Sequence, residues 1–390
     1  MTTRITNCWD KVPVKSLEVE HSLVYEGKPG LAYSHQAQLT THQGRLVASW
    51  TLGVRDEEGP GEDMVFSMSD DHGLTWSPPR VIACAQPGRA AKTVVVSSGI
   101  RSVGDAMIAY SGHWDRTPEG ILPDGNRTHT NDPAGRLFAD LRTEARVSHD
   151  DGASWSAPVV VAPDLSNYMA PFETQSGRLI LPGNLTYRWT DDPMGLKDWH
   201  WAGAPGIHEG IMDNYFNMFQ LNELAGTGQL YNEACGYQLA DGTLRMMLRN
   251  ETAVMKANVS TRLGVSESRD NGLTWSRPEP TDYTDSVCRA HFGRLPDGRY
   301  FGMSCPNPPG TAGWAARTPA ILALSGDGSI FDQHWLIGSE KDKSARWAGY
   351  GKGGRYGYPY LHVEGEYGYV IYSVNKEDIG LGRFRLEDLK

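Results

Sequence analysis

The chain has 390 residues, 39% of them hydrophobic and 22% charged, with a formal net charge of −10. That length suffices for one large domain or two to three ordinary ones. No basic run is present, which argues against a nucleic-acid surface, and no window approaches the roughly 20 apolar residues a membrane helix needs. The abundance of Gly (44) and Trp (12) favours short strands and tight turns over long helices.

In chain order, the opening stretch MTTRITNCWDKVPVKSLEVE lacks the apolar core of a secretory signal. The five cysteines, Cys8, Cys84, Cys235, Cys288 and Cys305, form no CxxC pair. An odd count without pairing reads as reduced thiols in a cytoplasmic protein. A strand is expected near SLEVEHSLVY. Six hairpins follow, each with a turn glycine and an apolar strand after it: HQGRLVASW, SVGDAMIAY, SGRLILPGN, DGTLRMMLRN, DGRYFGMSC and EGEYGYVIYS. Their glycines are Gly44, Gly104, Gly177, Gly242, Gly298 and Gly365.

An eight-residue turn runs in step with them. SDDHGLTW starts at Ser69, SHDDGASW at Ser148 and SRDNGLTW at Ser268, with weaker relatives at Thr190 (TDDPMGLKDW) and Ser325 (SGDGSIF). Gly supplies a positive φ, Asp and Ser bond the neighbouring backbone, and Trp packs on an adjacent strand. Ser69, Ser268 and Ser325 trail their hairpin glycines by 25, 26 and 27 residues. A four-stranded sheet per repeat, arranged radially, predicts an all-β fold, a single β-propeller over residues 1–390, with the early strand closing the last blade beside DIGLGRFRL.

In a propeller the innermost strands all start at one end of the central channel. Nine residues before each hairpin glycine stand His35, Val95, Tyr168, Glu233, Arg289 and Tyr356, and seven after it stand Thr51, Ser111, Asn184, Arg249, Cys305 and Tyr372. Trp114, Arg116, Arg188 and Tyr358 lie nearby in sequence. Arginines gathered in one funnel suit a carboxylate, which a guanidinium pairs bidentately. The plainer alternative is that Arg249 and Glu233 pair with each other as structural ions. His113, His208, His291 and His362 have no metal-ligand spacing and read as structural.

The repeated turns resemble the Asp boxes of the sialidase superfamily. NEACGYQLADGTLRMMLRN is similar to the sialidase segment that carries a glutamate and an arginine of a carboxylate-binding triad, which fall here on Glu233 and Arg249. YGYPYLHVEGEYGYVIYS resembles the last-blade segment with the tyrosine nucleophile, here Tyr358. The first blade departs from that pattern: AYSHQAQL puts His35 where the family's first arginine belongs. AYSHQAQLTTHQGRLVASW, RTPAILALSGDGSIFD and the SVNKEDI string resemble the propeller polysaccharide lyases of the ulvan and rhamnose–glucuronate type. That family is seven-bladed, so the resemblance implies a seventh, degenerate blade between Thr190 and Tyr231, with six blades as the alternative.

The lyase resemblance implies β-elimination beside a 4-linked uronic acid. Arg116 and Arg188, helped by Arg249 or Arg289, would hold the carboxylate, and His35 would act as base, acid or both, with Tyr168 or Tyr358 as the second candidate. Asn184 and Trp114 would line the same pocket. The alternative is a sialidase-type hydrolase in which Tyr358 attacks and Glu233 relays its proton; the third is a sugar-binding propeller without catalysis. An anionic oligosaccharide is the expected partner, with no cofactor required. A structural divalent cation in the channel is compatible with the architecture, although no ligand cluster demands it. Residues 112–140 form the longest insertion and are expected to shape specificity.

Overall fold

The computed structural model describes residues 4–59, 61–84, 93–117, 138–252, 262–306, 317–340 and 344–390. Among these residues the strands form six sheets, and four of them follow the chain outward from the innermost strand, while the other two take their outermost strand from the start of the chain. The first blade comprises Tyr33–His42, Arg45–Gly53, Asp63–Ser69 and Arg80–Ala83. The second comprises Thr93–Val103, Ala106–Arg116, Phe138–Ser148 and Val159–Ala162. The third is the smallest: Phe172–Glu173, Leu179–Pro182, Thr186–Thr190 and His200–Gly203. Tyr231–Gln238 to Glu279–Thr284 form the fourth, and His291–Arg294 to Gln333–Gly338 the fifth.

The sixth blade takes Gly357–Glu364, Tyr367–Val374 and Asp378–Arg385 from the end of the chain, and its outermost strand, Glu20–Tyr25, from the beginning. A shorter early strand, Val14–Lys15, pairs in parallel with the outer edge of the fifth blade. The innermost strand of the first blade packs against those of both the second and the sixth, which closes the ring.

The expected seventh blade does not form. Between Thr190 and Tyr231 lie the last strand of the third blade, a 3-10 turn at Tyr215–Asn217 and a single helix, Met218–Ala225. This helix buries Met218, Leu221 and Ala225. Leu221 and Ala225 join the core shared by the third and fourth blades. The segment thus fills a gap beside a small blade instead of adding a sheet.

All six hairpin glycines have positive φ, from 57° at Gly365 to 93° at Gly298, the conformation that glycine adopts most cheaply. The eight-residue turns sit between third and fourth strands. In the first, Ser69 Oγ donates to Asp71 Oδ1 at 2.8 Å while Asp71 accepts from Thr75 N at 2.9 Å and Thr75 Oγ1 at 2.6 Å. The turn at Ser148 repeats this pattern, as does that at Ser268. Each turn also leans on the preceding blade. A Cβ at Gly73 would lie 2.5 Å from Leu381 of the sixth blade, at Gly152 2.3 Å from Phe66 of the first, and at Gly272 2.6 Å from Ile180 of the third. The tryptophans follow suit: Trp155 meets Phe66 at 5.8 Å between ring centroids and Trp275 meets Tyr187 at 4.6 Å. The repeated turn is a seam between blades.

Candidate active site

At the channel mouth four of the six innermost strands share a second feature, absent from any repeated residue pattern. Each of these four carries one residue more than the next strand: two face one between His35 and Gln38, Ser97 and Ile100, and Gly357 and Tyr360, and one faces none between Asn232 and Ala234. Such a bulge bends the strand and re-aims side chains. The extra residue carries a positive φ in each: 53° at Gln36, 94° at Gly99, 40° at Glu233 and 51° at Tyr358. Non-glycine residues there cost roughly 1–3 kcal/mol each, a cost that functional sites often carry.

Two of the residues so placed, Glu233 and Tyr358, meet. The Tyr358 hydroxyl donates to Glu233 Oε1 at 2.5 Å and accepts from Arg249 Nη1 at 2.6 Å, while Arg249 Nη1 also donates to Glu233 Oε2 at 2.5 Å. Arg249 Nη2 pairs with Glu251, the residue after its strand. Three guanidinium groups surround the Tyr358 ring: Arg289 at 4.8 Å, Arg317 at 5.2 Å and Arg249 at 5.8 Å from its centroid. The His35 ring lies 4.1 Å from it. Behind His35, Lys376 Nζ pairs with Glu57 Oε2 at 2.5 Å, and Glu57 Oε1 lies 3.8 Å from His35 Nε2. The backbone bond from Ser34 N to Lys376 O, 2.9 Å, fixes this junction of first and sixth blades.

Burial sets the electrostatics. It pushes the Tyr358 hydroxyl well above the usual phenol value, with Arg249 opposing, so the resting tyrosine keeps its proton. Burial, reinforced by Lys376, Arg317, Arg289 and Arg249, drives His35 well below the usual imidazole value and leaves it neutral. Lys376 is lowered to about 8 by burial, against the pull of Glu57. Burial also disfavours the charge on Arg249, but Glu233 and Glu251 outweigh it. Burial raises Glu251 above the ordinary carboxylate range. Arg249, Arg289, Arg317 and Lys376 thus face Glu57, Glu233 and Glu251, a surplus of one cation among these side chains. Among the described residues, Arg317 Nε and Nη1, Arg289 Nη2 and Arg249 Nε are buried without a hydrogen-bond partner. Buried guanidinium N–H groups left unpaired are costly, and they suit an incoming anion.

The sequence of residues 129–371, more than half of the chain, matches the model of the BNR repeat-like domain. The chain belongs to the BNR repeat-like family. No curated protein matches its sequence. Among solved structures, a sialidase from Trypanosoma rangeli superposes with a TM-score of 0.64 at 14% identity, covering 96% of this chain and 60% of that one. An intramolecular trans-sialidase from Ruminococcus gnavus, solved with oseltamivir carboxylate, gives 0.62 at 14% identity, covering 95% and 98%. A protein of unknown function from Dyadobacter fermentans gives 0.63 at 17% identity, covering 94% and 99%. At such identities the likeness establishes a sialidase-like propeller fold.

Of the residues expected at the site, this BNR-family propeller brings together His35, Glu233, Arg249, Arg289 and Tyr358. Glu233 and Arg249 do pair, as the plainer reading had it, but Tyr358 joins the pair. Tyr168 stands at the edge: its hydroxyl donates to Glu58 Oε1 at 3.2 Å, and its carbonyl accepts from Arg289 Nη1 and, at 3.0 Å, from Gln38 Nε2. Asn184 positions rather than binds. Its amide donates to the buried Asp213 at 2.7 Å and its carbonyl accepts Glu233 N at 2.7 Å, which holds the Glu233 bulge.

Three expected residues are engaged elsewhere. Arg188, on the third strand of its blade, pairs with Asp164 and donates to Tyr187 O at 2.9 Å. Arg116 donates to Glu58 O at 3.0 Å, lies 3.6 Å from the Glu58 carboxylate and packs 5.1 Å from the Phe216 ring. Trp114 is fully buried with Val94, Phe138 and Tyr168. Each therefore supports the blades, and the guanidinium groups turned toward Tyr358 are others. Sequence reasoning missed Arg317, Glu57, Lys376 and Glu251. All four lie outside strands, where no hairpin spacing reaches them; Arg317 stands three residues before the Ala320–Ser325 strand. Much of the 112–140 insertion, residues 118–137, lies outside the described residues. Among the described residues no group of three or more His, Cys, Asp or Glu could hold a metal ion.

Proposed function

We propose that the chain is a carbohydrate-active enzyme, a glycoside hydrolase that releases an acidic sugar with Tyr358 as nucleophile. The observation that carries this reading is the bond from the Tyr358 hydroxyl to Glu233 Oε1, 2.5 Å, inside a ring of three guanidinium groups. A buried, protonated tyrosine is a poor nucleophile until a base takes its proton, and Glu233 is already bonded to it. As the proton passes to Glu233, Arg249 stabilises the negative charge growing on the phenolic oxygen. The unpaired N–H groups of Arg317 and Arg289 receive the sugar's carboxylate. A neutral nucleophile also avoids the repulsion a carboxylate would meet from an anionic sugar.

Glu57, whose side chain is 16% exposed and faces His35, acts as general acid in its protonated form, reached when Lys376 gives up the proton they share, and delivers it to the leaving oxygen. The Tyr358–sugar bond forms as the glycosidic bond breaks. Water, giving its proton to Glu57, then releases the sugar while Glu233 returns the proton to Tyr358. The sialidases among the structural neighbours favour this chemistry over others the fold supports. The test is a panel of fluorogenic glycosides of acidic sugars. Tyr358→Phe should lower turnover by at least about 10³-fold while the free sugar still binds; unchanged turnover would end this reading.

A second reading, β-elimination beside a uronic acid, draws on the neutral His35 imidazole next to Tyr358. Its product is an unsaturated uronate that absorbs in the ultraviolet. A rise in absorbance without free acidic sugar, abolished by His35→Ala, would put elimination in place of hydrolysis. Binding with neither product would mark a sugar-binding propeller.

A further inference from the structure

A neighbouring blade holds Glu233 in place. Its φ of 40° is costly for a residue with a side chain, and two bonds from the third blade fix the bulge. Asn184 Oδ1 accepts from Glu233 N at 2.7 Å, and Gly183 O accepts from Ala234 N at 3.1 Å. A backbone N–H only donates, so Asn184 must turn its side-chain oxygen to Glu233 and its nitrogen the other way. What that nitrogen meets is Asp213, whose Oδ1 accepts from Asn184 Nδ2 at 2.7 Å. Asp213 Oδ2 accepts from Thr186 Oγ1 at 2.6 Å, Thr186 N at 2.9 Å and Asn184 N at 3.1 Å. Asp213 is fully buried, and burial raises its pKa above the ordinary carboxylate range while these bonds oppose the shift. It comes from the stretch between the third and fourth blades that forms no sheet of its own. Its N donates to Asp164 O at 2.7 Å and its O accepts from Ser166 N at 3.1 Å, which pins the backbone from which the carboxylate reaches across.

We propose that Asp213 is a positioning residue for the proton acceptor of Tyr358: by fixing the amide of Asn184, it aims the Glu233 carboxylate at the Tyr358 hydroxyl. This rests on the hydrolase reading, in which Glu233 takes that proton. The chain of bonds runs from Asp213 through Asn184 to Glu233 N, and the Glu233 side chain completes it at Tyr358, 2.5 Å from Oε1. The sensitive element is the orientation of the Asn184 amide. An amide in place of the Asp213 carboxylate would put its NH2 group at the Oδ1 position, because three donors crowd Oδ2. Asn184 would then turn its own oxygen to that NH2 group, which leaves two donors face to face at Glu233 N. The bulge would lose its bond and the carboxylate its aim. The stretch that fills the gap beside the small third blade thus also supports the chemistry of the fourth.

Exchanging the two residues in the full chain tests this. Asp213→Asn should lower kcat about 10–100-fold on any glycoside found to be turned over, with KM little changed. Adding Asn184→Asp restores the match: a carboxylate at position 184 accepts from Glu233 N and from the amide at position 213, whose oxygen still serves Thr186. The double variant should recover most of kcat. Thr186→Val removes a bond to the same carboxylate but leaves the Asn184 amide alone, so it should lower the thermal midpoint and keep kcat. Where Asp213→Asn does not fold, Asn184→Ala, which deletes the amide, should show the same fall in kcat. Crystal structures of the variants read the effect without substrate: the Tyr358 hydroxyl and Glu233 Oε1 should part beyond hydrogen-bond range in Asp213→Asn and meet again in the exchange. That distance decides the inference even where no glycoside is turned over, a result that would count against the hydrolase reading alone. An unmoved Tyr358–Glu233 contact or an unchanged kcat in both Asp213→Asn and Asn184→Ala, a kcat that the exchange does not recover, or a Thr186→Val variant as slow as Asp213→Asn would each overturn it.

Discussion

The box turns at the blade edges and the bulges at the channel mouth solve opposite problems. In the boxes the residues repeat and the Ser–Asp bonds are made: Ser to Asp, Asp to the backbone and hydroxyl four residues on. At the mouth the backbone repeats and the residues differ. The same one-residue bulge presents Gln36, Gly99, Glu233 or Tyr358. One region spends its identity on holding neighbours together; the other holds the chain in a costly conformation, buries four cations beside three carboxylates, and leaves guanidinium N–H groups unpaired. Repetition of residues marks the scaffold, and repetition of backbone with variation of residues marks the site.

That contrast can be broken by substitutions that should act on one region and spare the other. The largest effect is expected at Glu233. Glu233→Gln removes the proton acceptor of Tyr358 and should lower kcat by about 10²–10⁴-fold on any glycoside found to be turned over, with little change in thermal midpoint. A large loss of stability with kcat intact would place Glu233 in the scaffold instead.

Next come the seams. Trp275, 5% exposed and packed on Tyr187, belongs to the core joining the third and fourth blades. Trp275→Ala should cost about 3–5 kcal/mol of stability in a urea titration and leave KM unchanged. A changed KM with no stability loss would erase the division between edge and mouth. Arg188 belongs with this group. Arg188→Ala strands the buried Asp164, so it should destabilise by about 3–5 kcal/mol without weakening the affinity for an acidic sugar.

The smallest effect, about 2 kcal/mol per residue at pH 5, concerns three buried histidines away from the reacting atoms. Burial lowers His113 to about 4, with Glu144 opposing; burial, Arg289 and His362 lower His291 to about 3; burial lowers His362 to about 4, with Glu364 opposing. The unfolded chain binds these protons near the ordinary value of 6.5 and the folded chain does not, so stability is complete above pH 6.5 and falls as the pH drops toward 4. Thermal midpoints measured from pH 7.5 to 5 check the sign; a midpoint that rises over this range would show the histidines to be charged in the fold.

Much of this was legible in the chain itself. The hairpin glycines and box turns fall where their spacing put them, because a positive φ and a Ser–Asp turn are local demands that a short stretch satisfies alone. Glu233, Arg249 and Tyr358 were reachable by resemblance to a family. The seventh blade was the cost of the other resemblance, to the seven-bladed polysaccharide lyases: Met218–Ala225 buries its apolar side as a helix, and only its neighbours in the third and fourth blades show why a helix suffices there.

What the sequence determined by itself is the repeating unit, since each hairpin and each box is held by bonds between residues a few positions apart. What only the tertiary structure decided is which charges are already spoken for. Arg188 and Asp164 stand 24 residues apart, Tyr358 and Glu233 stand 125 apart, and Lys376 meets Glu57 across the junction where the ring closes. A guanidinium shows its chemistry in one letter, but whether a carboxylate waits beside it depends on which blades become neighbours, and that is set by closure of the whole ring.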